Sequence, residues 1–248
     1  MKTRFLIALQ FLTILPVSIK GKIEDGDFGR SLVYFPVIGL LLGTLLAGIA
    51  FISTSFPPLV GSALILIVWV VITGAIHLDG FADTCDGFYG KRSKEDILKI
   101  MRDSRIGTMG AAGIALLLLF KFAIIASIHP EDLWKILLAA AVSARWLQAF
   151  ACSVSKYARD EGKAKYFVKY AKRADIFAGA VFTLILNWFL MGIKGIVLTA
   201  LLSVTIFLFI QYAKRKIGGM TGDTIGAANE IAEVSALLFC LILVNCNI

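Results

Sequence analysis

Leu59-Val-Gly-Ser-Ala-Leu-Ile-Leu-Ile-Val-Trp-Val-Val-Ile-Thr-Gly-Ala-Ile-His77-Leu-Asp79-Gly-Phe-Ala-Asp83-Thr-Cys-Asp86-Gly-Phe-Tyr-Gly90 is an apolar run that ends in three carboxylates. A membrane span needs about 20 mainly apolar residues, and Leu59–Leu78 supplies them. If the helix continues through the acids, offsets of four and seven place Asp79, Asp83 and Asp86 within an arc of roughly 60°. Three negative charges on one stripe at a membrane boundary repel one another and resist desolvation. A divalent cation relieves both costs. Mg²⁺ suits best, because it takes oxygen ligands and is commonly shared between one or two carboxylates and a substrate phosphate. A single aspartate at a helix end reads as a solvated group. The D-x₃-D-x₂-D pattern, flanked by glycines and followed by arginines, reads as a metal and phosphate site.

Working outward, the composition agrees with a membrane protein. The chain is 58% hydrophobic and 17% charged, with a mean hydropathy of +0.84; soluble domains average about 45–50% apolar and 25% charged. Met1–Ile19 has a basic start but no small-residue cleavage pattern, so no cleavable signal peptide is expected. Cys85, Cys152, Cys240 and Cys246 lack metal-ligand spacing and read as packing residues. With two histidines in the chain, a zinc site is disfavoured.

Seven spans follow from hydropathy: Leu32–Phe56, Leu59–Leu78, Gly110–Ile128, Leu133–Ser153, Ile176–Met191, Ile193–Tyr212 and Ile231–Val244. Lys2–Leu15 is apolar but short, and reads as an interfacial or re-entrant helix stopped at Pro16. No repeat or linker divides residues 1–248, so a single all-α, polytopic helical-bundle domain is expected. The connections before span one and after spans two, four and six hold 21 of the 25 Lys and Arg. Cytoplasmic loops carry that excess, so the N-terminus and the three large loops are expected in the cytoplasm and the C-terminus outside. The net charge of +8 is thereby accounted for without nucleic acid.

Two further segments fall on the same face as the acidic motif. Ile100-Met-Arg102-Asp103-Ser-Arg105-Ile-Gly107-Thr offers guanidinium forks matched to phosphate oxygens. Gly218-Gly219-Met-Thr-Gly222-Asp223-Thr-Ile-Gly-Ala-Ala-Asn229-Glu230 reads as a glycine-rich loop whose backbone N–H groups can approach an anion, with Asp223 and Glu230 as further acidic groups. Inside the spans, Lys121 is expected to snorkel to the boundary. Arg145 lies nearer mid-span, where it contacts an anion or partners an acid.

These motifs resemble the cobalamin synthase family, the adenosylcobinamide-GDP ribazoletransferases. The resemblance is carried by His77-Leu-Asp-Gly-Phe-Ala-Asp-Thr-Cys-Asp-Gly87, by Ile100–Thr108 and by Gly218–Ala227, with support from Phe35-Pro-Val-Ile-Gly39-Leu-Leu-Leu-Gly43 and Tyr157-Ala-Arg159-Asp-Glu161-Gly162. It runs over most of the chain. One departure is Ile14 in Phe11-Leu-Thr-Ile-Leu-Pro16, where members often carry Arg. The resemblance implies a Mg²⁺-dependent enzyme of the bacterial or archaeal cell (inner) membrane. Adenosylcobinamide-GDP and α-ribazole, or its 5′-phosphate, give adenosylcobalamin, or its 5′-phosphate, and GMP. It further implies Asp79, Asp83 and Asp86 as metal ligands, with Asp223 and Glu230 completing the cluster or activating the ribose hydroxyl. Arg102, Arg105 and Arg145, with Gly219 and Gly222, are the implied phosphate contacts. His77 is either a donor to a ligand carboxylate or a satisfied interfacial histidine. Expected partners are the two substrates and the lipid bilayer, and a homo-oligomer or pathway-enzyme complex is the further class.

The nearest alternative is a CDP-alcohol phosphotransferase, whose signature runs D-x₂-D-G-x₂-A-R-x₈-G-x₃-D-x₃-D. Asp83-Thr-Cys-Asp86-Gly87 opens it, but Gly90-Lys91, Ile100, Ser104 and Thr108 stand where Ala-Arg, Gly, Asp and Asp are required. An aspartate-rich prenyltransferase would use the same metal–diphosphate logic. A cation transporter would need mid-span carboxylates, and none is expected from the span boundaries above.

Overall fold

The computed structural model describes residues 1–245; Cys246 and Ile248 lie outside the described residues. The chain forms twelve α-helices there: α1 (Lys2–Leu12), α2 (Asp25–Ser31), α3 (Phe35–Ser53), α4 (Pro58–Ile72), α5 (Ile76–Phe88), α6 (Lys94–Ile100), α7 (Thr108–Ser127), α8 (Pro130–Ser153), α9 (Lys165–Lys169), α10 (Arg173–Met191), α11 (Ile193–Ile217) and α12 (Gly222–Asn245). A 3₁₀ turn at Leu32–Tyr34 joins α2 to α3. Tyr157 and Met220 form an isolated parallel β-bridge. Six helical segments are long and apolar enough to cross a membrane, and the bent pair α4–α5 makes a seventh if taken as one span. This is the polytopic helical bundle expected from hydropathy.

Helix α8 is the central post. Ala139, Ala140, Ala141 and Ala144 are fully buried, and α3 packs most intimately against this small-residue face. A methyl group added at Gly39 would lie 2.6 Å from the Ala141 carbonyl oxygen, and one at Gly43 would lie 2.9 Å from Leu138 Cα. Lipid supplies little hydrophobic drive between helices, so close backbone approach and interhelical hydrogen bonds hold such bundles. Asn187 of α10 adds a bond of that kind, donating to Ser143 Oγ of α8 and Thr199 Oγ1 of α11, each at 3.0 Å.

The second span is not one straight helix. Between α4 and α5 the axis turns by 89°, with Gly74 at φ +61° and Ala75 at φ +55°. Backbone groups away from water must be satisfied within the protein, and here the N-terminal segment does it: Ile14 N–H donates to the Ile72 carbonyl at 2.9 Å. Helix α1 ends at Leu12 and delivers that residue to the break, while Arg4 Nε is bonded to Asp27 of α2 at 2.8 Å. The acids therefore ride on a helix of their own, aimed by a kink that hydropathy does not reveal.

A second difference lies in residues 218–230, where a loop was expected. Helix α12 begins at Gly222, leaving only a short turn after α11. Thr221 and Thr224 start it by reciprocal bonds: Thr221 N–H donates to Thr224 Oγ1 at 2.8 Å and Thr224 N–H to Thr221 Oγ1 at 3.2 Å. Helix α12 thus extends the seventh span towards its N-terminus, and it carries Glu230 and Glu233 inside.

Candidate active site

The site forms where α5 lies along α12. Their backbones approach because both helices present glycine: a methyl at Gly80 would meet the Asp223 carbonyl oxygen at 2.7 Å, and one at Gly226 would meet His77 Cα at 3.4 Å. That contact draws Asp223 towards the acidic face of α5. Asp83 is half-buried, and Asp223 and Asp79 are the like charges acting most strongly on it, ahead of Asp86. Of the glycines expected to receive an anion, Gly222 lines the cavity described below. Gly219 has no room for a side chain against the Lys156 carbonyl.

The loop after α8 closes the site. Met220 N–H donates to Lys156 O at 2.9 Å and Ala158 N–H to Met220 O at 2.8 Å. This pairing delivers Arg159, whose Nη2 lies 2.7 Å from Asp223 Oδ2 and 3.2 Å from the Met101 carbonyl. Burial raises the pKa of the Tyr157 hydroxyl above that of a free phenol. A cavity of about 290 Å³ results, with Asp79, Asp223, Tyr157, Arg159, His77 and Gln148 among its lining residues. Arg102 lies in an adjoining cleft of about 550 Å³ with Asp160, Glu161 and Gly162. Arg159 is the functional residue the sequence reading left without a role. Its motif was legible, but only the backbone pairing to Met220 brings it to Asp223.

Asp86 and Arg105 are placed differently from Asp79 and Asp83. Asp86 accepts from Gly107 N–H and Gly110 N–H, both at 2.8 Å, at the start of α7. It anchors the positive end of that helix, and side chains at Gly107 or Gly110 would collide with it. Arg105 points outward and grips Asp103 through two bonds of 3.0 and 2.7 Å. That grip holds the Asp103 pKa down at about 2.

Two expectations about charges inside the bundle are corrected, and for Arg145 one of its two alternatives is realised. Lys121 does not snorkel: it is 3% exposed and bonds Glu230 at 2.6 Å and Glu233 at 2.5 Å. Mid-span carboxylates do exist, because α12 starts earlier than hydropathy indicated. Arg145 partners an acid, pairing with Glu233, which also receives Asn229 Nδ2 at 3.0 Å and Trp69 Nε1 at 3.1 Å. Two cations and two acids thus balance in charge within this cluster, with Arg145 Nε and Nη2 left without a hydrogen-bond partner. Glu230 and Arg145 belong to it and do not line the acidic cavity.

The donor chemistry fits a hard cation shared with a ligand. Among the described residues, no group of three His, Cys, Asp or Glu is close enough to hold an ion alone. Asp79 and Asp223 nevertheless line one cavity with Arg159, which pairs with Asp223, and Asp83 lies near enough for both carboxylates to act on it. Mg²⁺ is typically held by one or two carboxylates plus substrate phosphates, which this arrangement can provide.

Fold and site together define a multi-pass membrane protein with an acidic cavity roofed by an arginine-bearing loop. Residues 4–241 match the model of the cobalamin-5-phosphate synthase family, and the chain belongs to that family. The chain is similar to the adenosylcobinamide-GDP ribazoletransferase of Geotalea daltonii, 37% identical over 94% of this chain and 95% of the relative. It is 35% identical to the protein of that name from Acetivibrio thermocellus, over 95% of this chain and 96% of the relative. The one from Prosthecochloris aestuarii is 38% identical over 94% of both. No solved structure matches this chain.

Proposed function

We propose that the protein, acting as a single membrane-embedded domain, is an adenosylcobinamide-GDP ribazoletransferase. It joins adenosylcobinamide-GDP and α-ribazole, or α-ribazole 5′-phosphate, with release of GMP. The observation that carries this is the meeting of Asp79 and Asp223 with Arg159 at one cavity, with Asp83 beside them, in a chain related to these enzymes over nearly its whole length. A ribose hydroxyl of the acceptor attacks the phosphorus bearing the cobinamide arm. The new P–O bond forms as the bond to the GMP phosphate oxygen breaks.

Each residue has a task in that exchange. Asp79, Asp83 and Asp223 would hold Mg²⁺, which when bound neutralises the diphosphate and the departing GMP. Arg159 and Arg102 bind and orient phosphate oxygens from above the cavity. Asp223, fixed by Arg159, takes up the hydroxyl proton. Asp86 sets the junction of α5 with α7. Glu230 and Arg145 support the site from the buried ion-pair cluster, and Arg105 lies too far out to replace Arg102. The loop charge pattern supports a cytoplasmic face for the site and the cell inner membrane as its location. Self-association or a complex with a neighbouring pathway enzyme belongs to the same reading.

Purified protein supplied with Mg²⁺, adenosylcobinamide-GDP and α-ribazole should release GMP and form adenosylcobalamin. Given CDP-diacylglycerol and a polar alcohol, it should release no CMP. CMP release without corrinoid turnover would overturn the assignment in favour of the CDP-alcohol class.

A further inference from the structure

A separate recess of about 910 Å³ opens where α8 and α11 end and α10 begins. It shares no lining residue with the acidic cavity. On one side α8 presents Trp146, Phe150 and Ser153, and on the other α10 presents Arg173, Ile176, Phe177 and Ala180. Residues three and four apart share a helix face, so two largely apolar faces bound the gap. Trp146 Nε1 donates to the Ile176 carbonyl at 3.3 Å, joining the two helices. Phe177 is 70% exposed, so the apolar wall runs out onto the side of the bundle.

The charge of the recess is of one sign. Lys156, Arg173 and Lys214 line it, and no aspartate or glutamate does so among the described residues. Lys214 Nζ is held there by donating to the Val154 carbonyl at 2.8 Å. An ammonium has three donors, so that bond leaves it able to meet an anion. Helix α10 starts beside these cations with no side-chain cap, and the positive end of a helix favours negative charge. The helices α8, α10 and α11 are each long and apolar enough to cross a membrane. The cations therefore stand where spans give way to polar loops, with the aromatic walls on the span side of them.

We propose that this recess binds an anionic phospholipid of the surrounding leaflet, its phosphodiester against Lys156, Arg173 and Lys214 and its acyl chains along Trp146, Phe150 and Phe177. The order of polarity in the recess is that of the lipid itself, and basic pockets between transmembrane helices are suited to anionic headgroups. A nucleotide diphosphate would match the cations but not the apolar walls. Its reacting phosphorus also belongs with the carboxylates of the other cavity. The proposal needs only the bilayer and stands apart from the transferase reading.

The test is thermal unfolding of the detergent-purified full chain with added dioleoylphosphatidylglycerol or dioleoylphosphatidylcholine, which share their acyl chains. In wild type the anionic lipid should raise the midpoint by about 2–4 °C more than the zwitterionic one, a comparison that needs no variant. Glycerol phosphate, which lacks acyl chains, should give less than about half of that shift at the same concentration. Arg173→Gln, at the exposed start of α10, should remove part of the preference, and Lys156→Gln/Arg173→Gln/Lys214→Gln nearly all of it. Lys20→Gln/Lys22→Gln/Lys91→Gln, an equal loss of charge at exposed positions outside the recess, should keep it. Equal shifts by the two lipids in wild type would overturn the proposal, as would equal loss of preference in both triple variants. A full shift with glycerol phosphate would make the recess a site for soluble anions. Loss of the lipid preference on adding adenosylcobinamide-GDP would assign it to the diphosphate substrate, and either result overturns the proposal.

Discussion

Asp83 is the residue on which the charge of the site converges, since Asp223 from α12 and Asp79 one turn away both act on it. Replacing it by Asn keeps the shape but removes one negative charge and, in the proposed site, a Mg²⁺ ligand. Asp83→Asn should cut turnover by at least about 100-fold, the scale on which removal of a single electrostatic group acts. Its detergent-solubilised protein should elute as wild type does in size exclusion. Asp25→Asn, on the exposed start of α2, should leave turnover within about twofold. Wild-type rates in Asp83→Asn would remove it from the ligand set. The three first-motif acids look equivalent in sequence, yet they diverge here. Asp79 lines the cavity and Asp83 lies close to Asp79 and Asp223, whereas Asp86 is bonded to the α7 N-terminus. An offset of seven residues gives the direction of a side chain and says nothing of what another helix brings to it.

Between elements, the decisive contact is α5 against α12. Gly80→Ala would push a methyl group against the Asp223 carbonyl at 2.7 Å, prying apart the pair that gathers the acids. Overpacking of this kind costs about 1–3 kcal/mol. A lower thermal midpoint and a turnover loss larger than the stability loss explains are expected. Gly48→Ala, with nothing within 4 Å of the added carbon, is the control and should be neutral or slightly stabilising. Should both variants keep full activity, α5–α12 proximity does not set the site. The kink before α5 belongs to the same scale. Gly74 alone suggests a weak point, but the 89° turn depends on Ile14 reaching the Ile72 carbonyl from a segment far away in sequence. The position where Ile14 departs from the family pattern is thus a contact at that kink, made by its N–H to Ile72 and by its side chain packed against Gly74.

For the molecule as a whole, stability and topology can each be tested. Lys121→Met would leave Glu230 and Glu233 facing each other with only Arg145 nearby, and breaking a buried pair from one side costs about 3–5 kcal/mol. The thermal midpoint should fall sharply, and adding Glu230→Gln should recover part of the loss; no recovery would show that the two do not act as a pair. Topology follows from counting crossings. With α4–α5 as one broken span, seven crossings put a reporter fused after Ile248 outside and one inserted at Lys163 in the cytoplasm. With the N-terminus in the cytoplasm, a Lys163 reporter found outside and an Ile248 reporter found in the cytoplasm would mean that α4–α5 enters and leaves by one face.

Hydropathy alone determined the all-α membrane class and most helix ends, because exclusion of water acts on each segment regardless of its neighbours. The acidic motif and the arginine-containing segments were equally legible, since carboxylates beside apolar spans carry an energetic cost that calls for a function. Only the tertiary structure decided which charges are paired off inside the bundle and which stand at a cavity. Lys121, Arg145, Glu230 and Glu233 cancel within the bundle, while Asp79, Asp223 and Arg159 are gathered at a cavity with Asp83 beside them. The reason is physical: a charge in low dielectric takes its role from the partner a few ångströms away. Those partners sit on helices about a hundred residues apart, at contacts that glycines and small side chains permit.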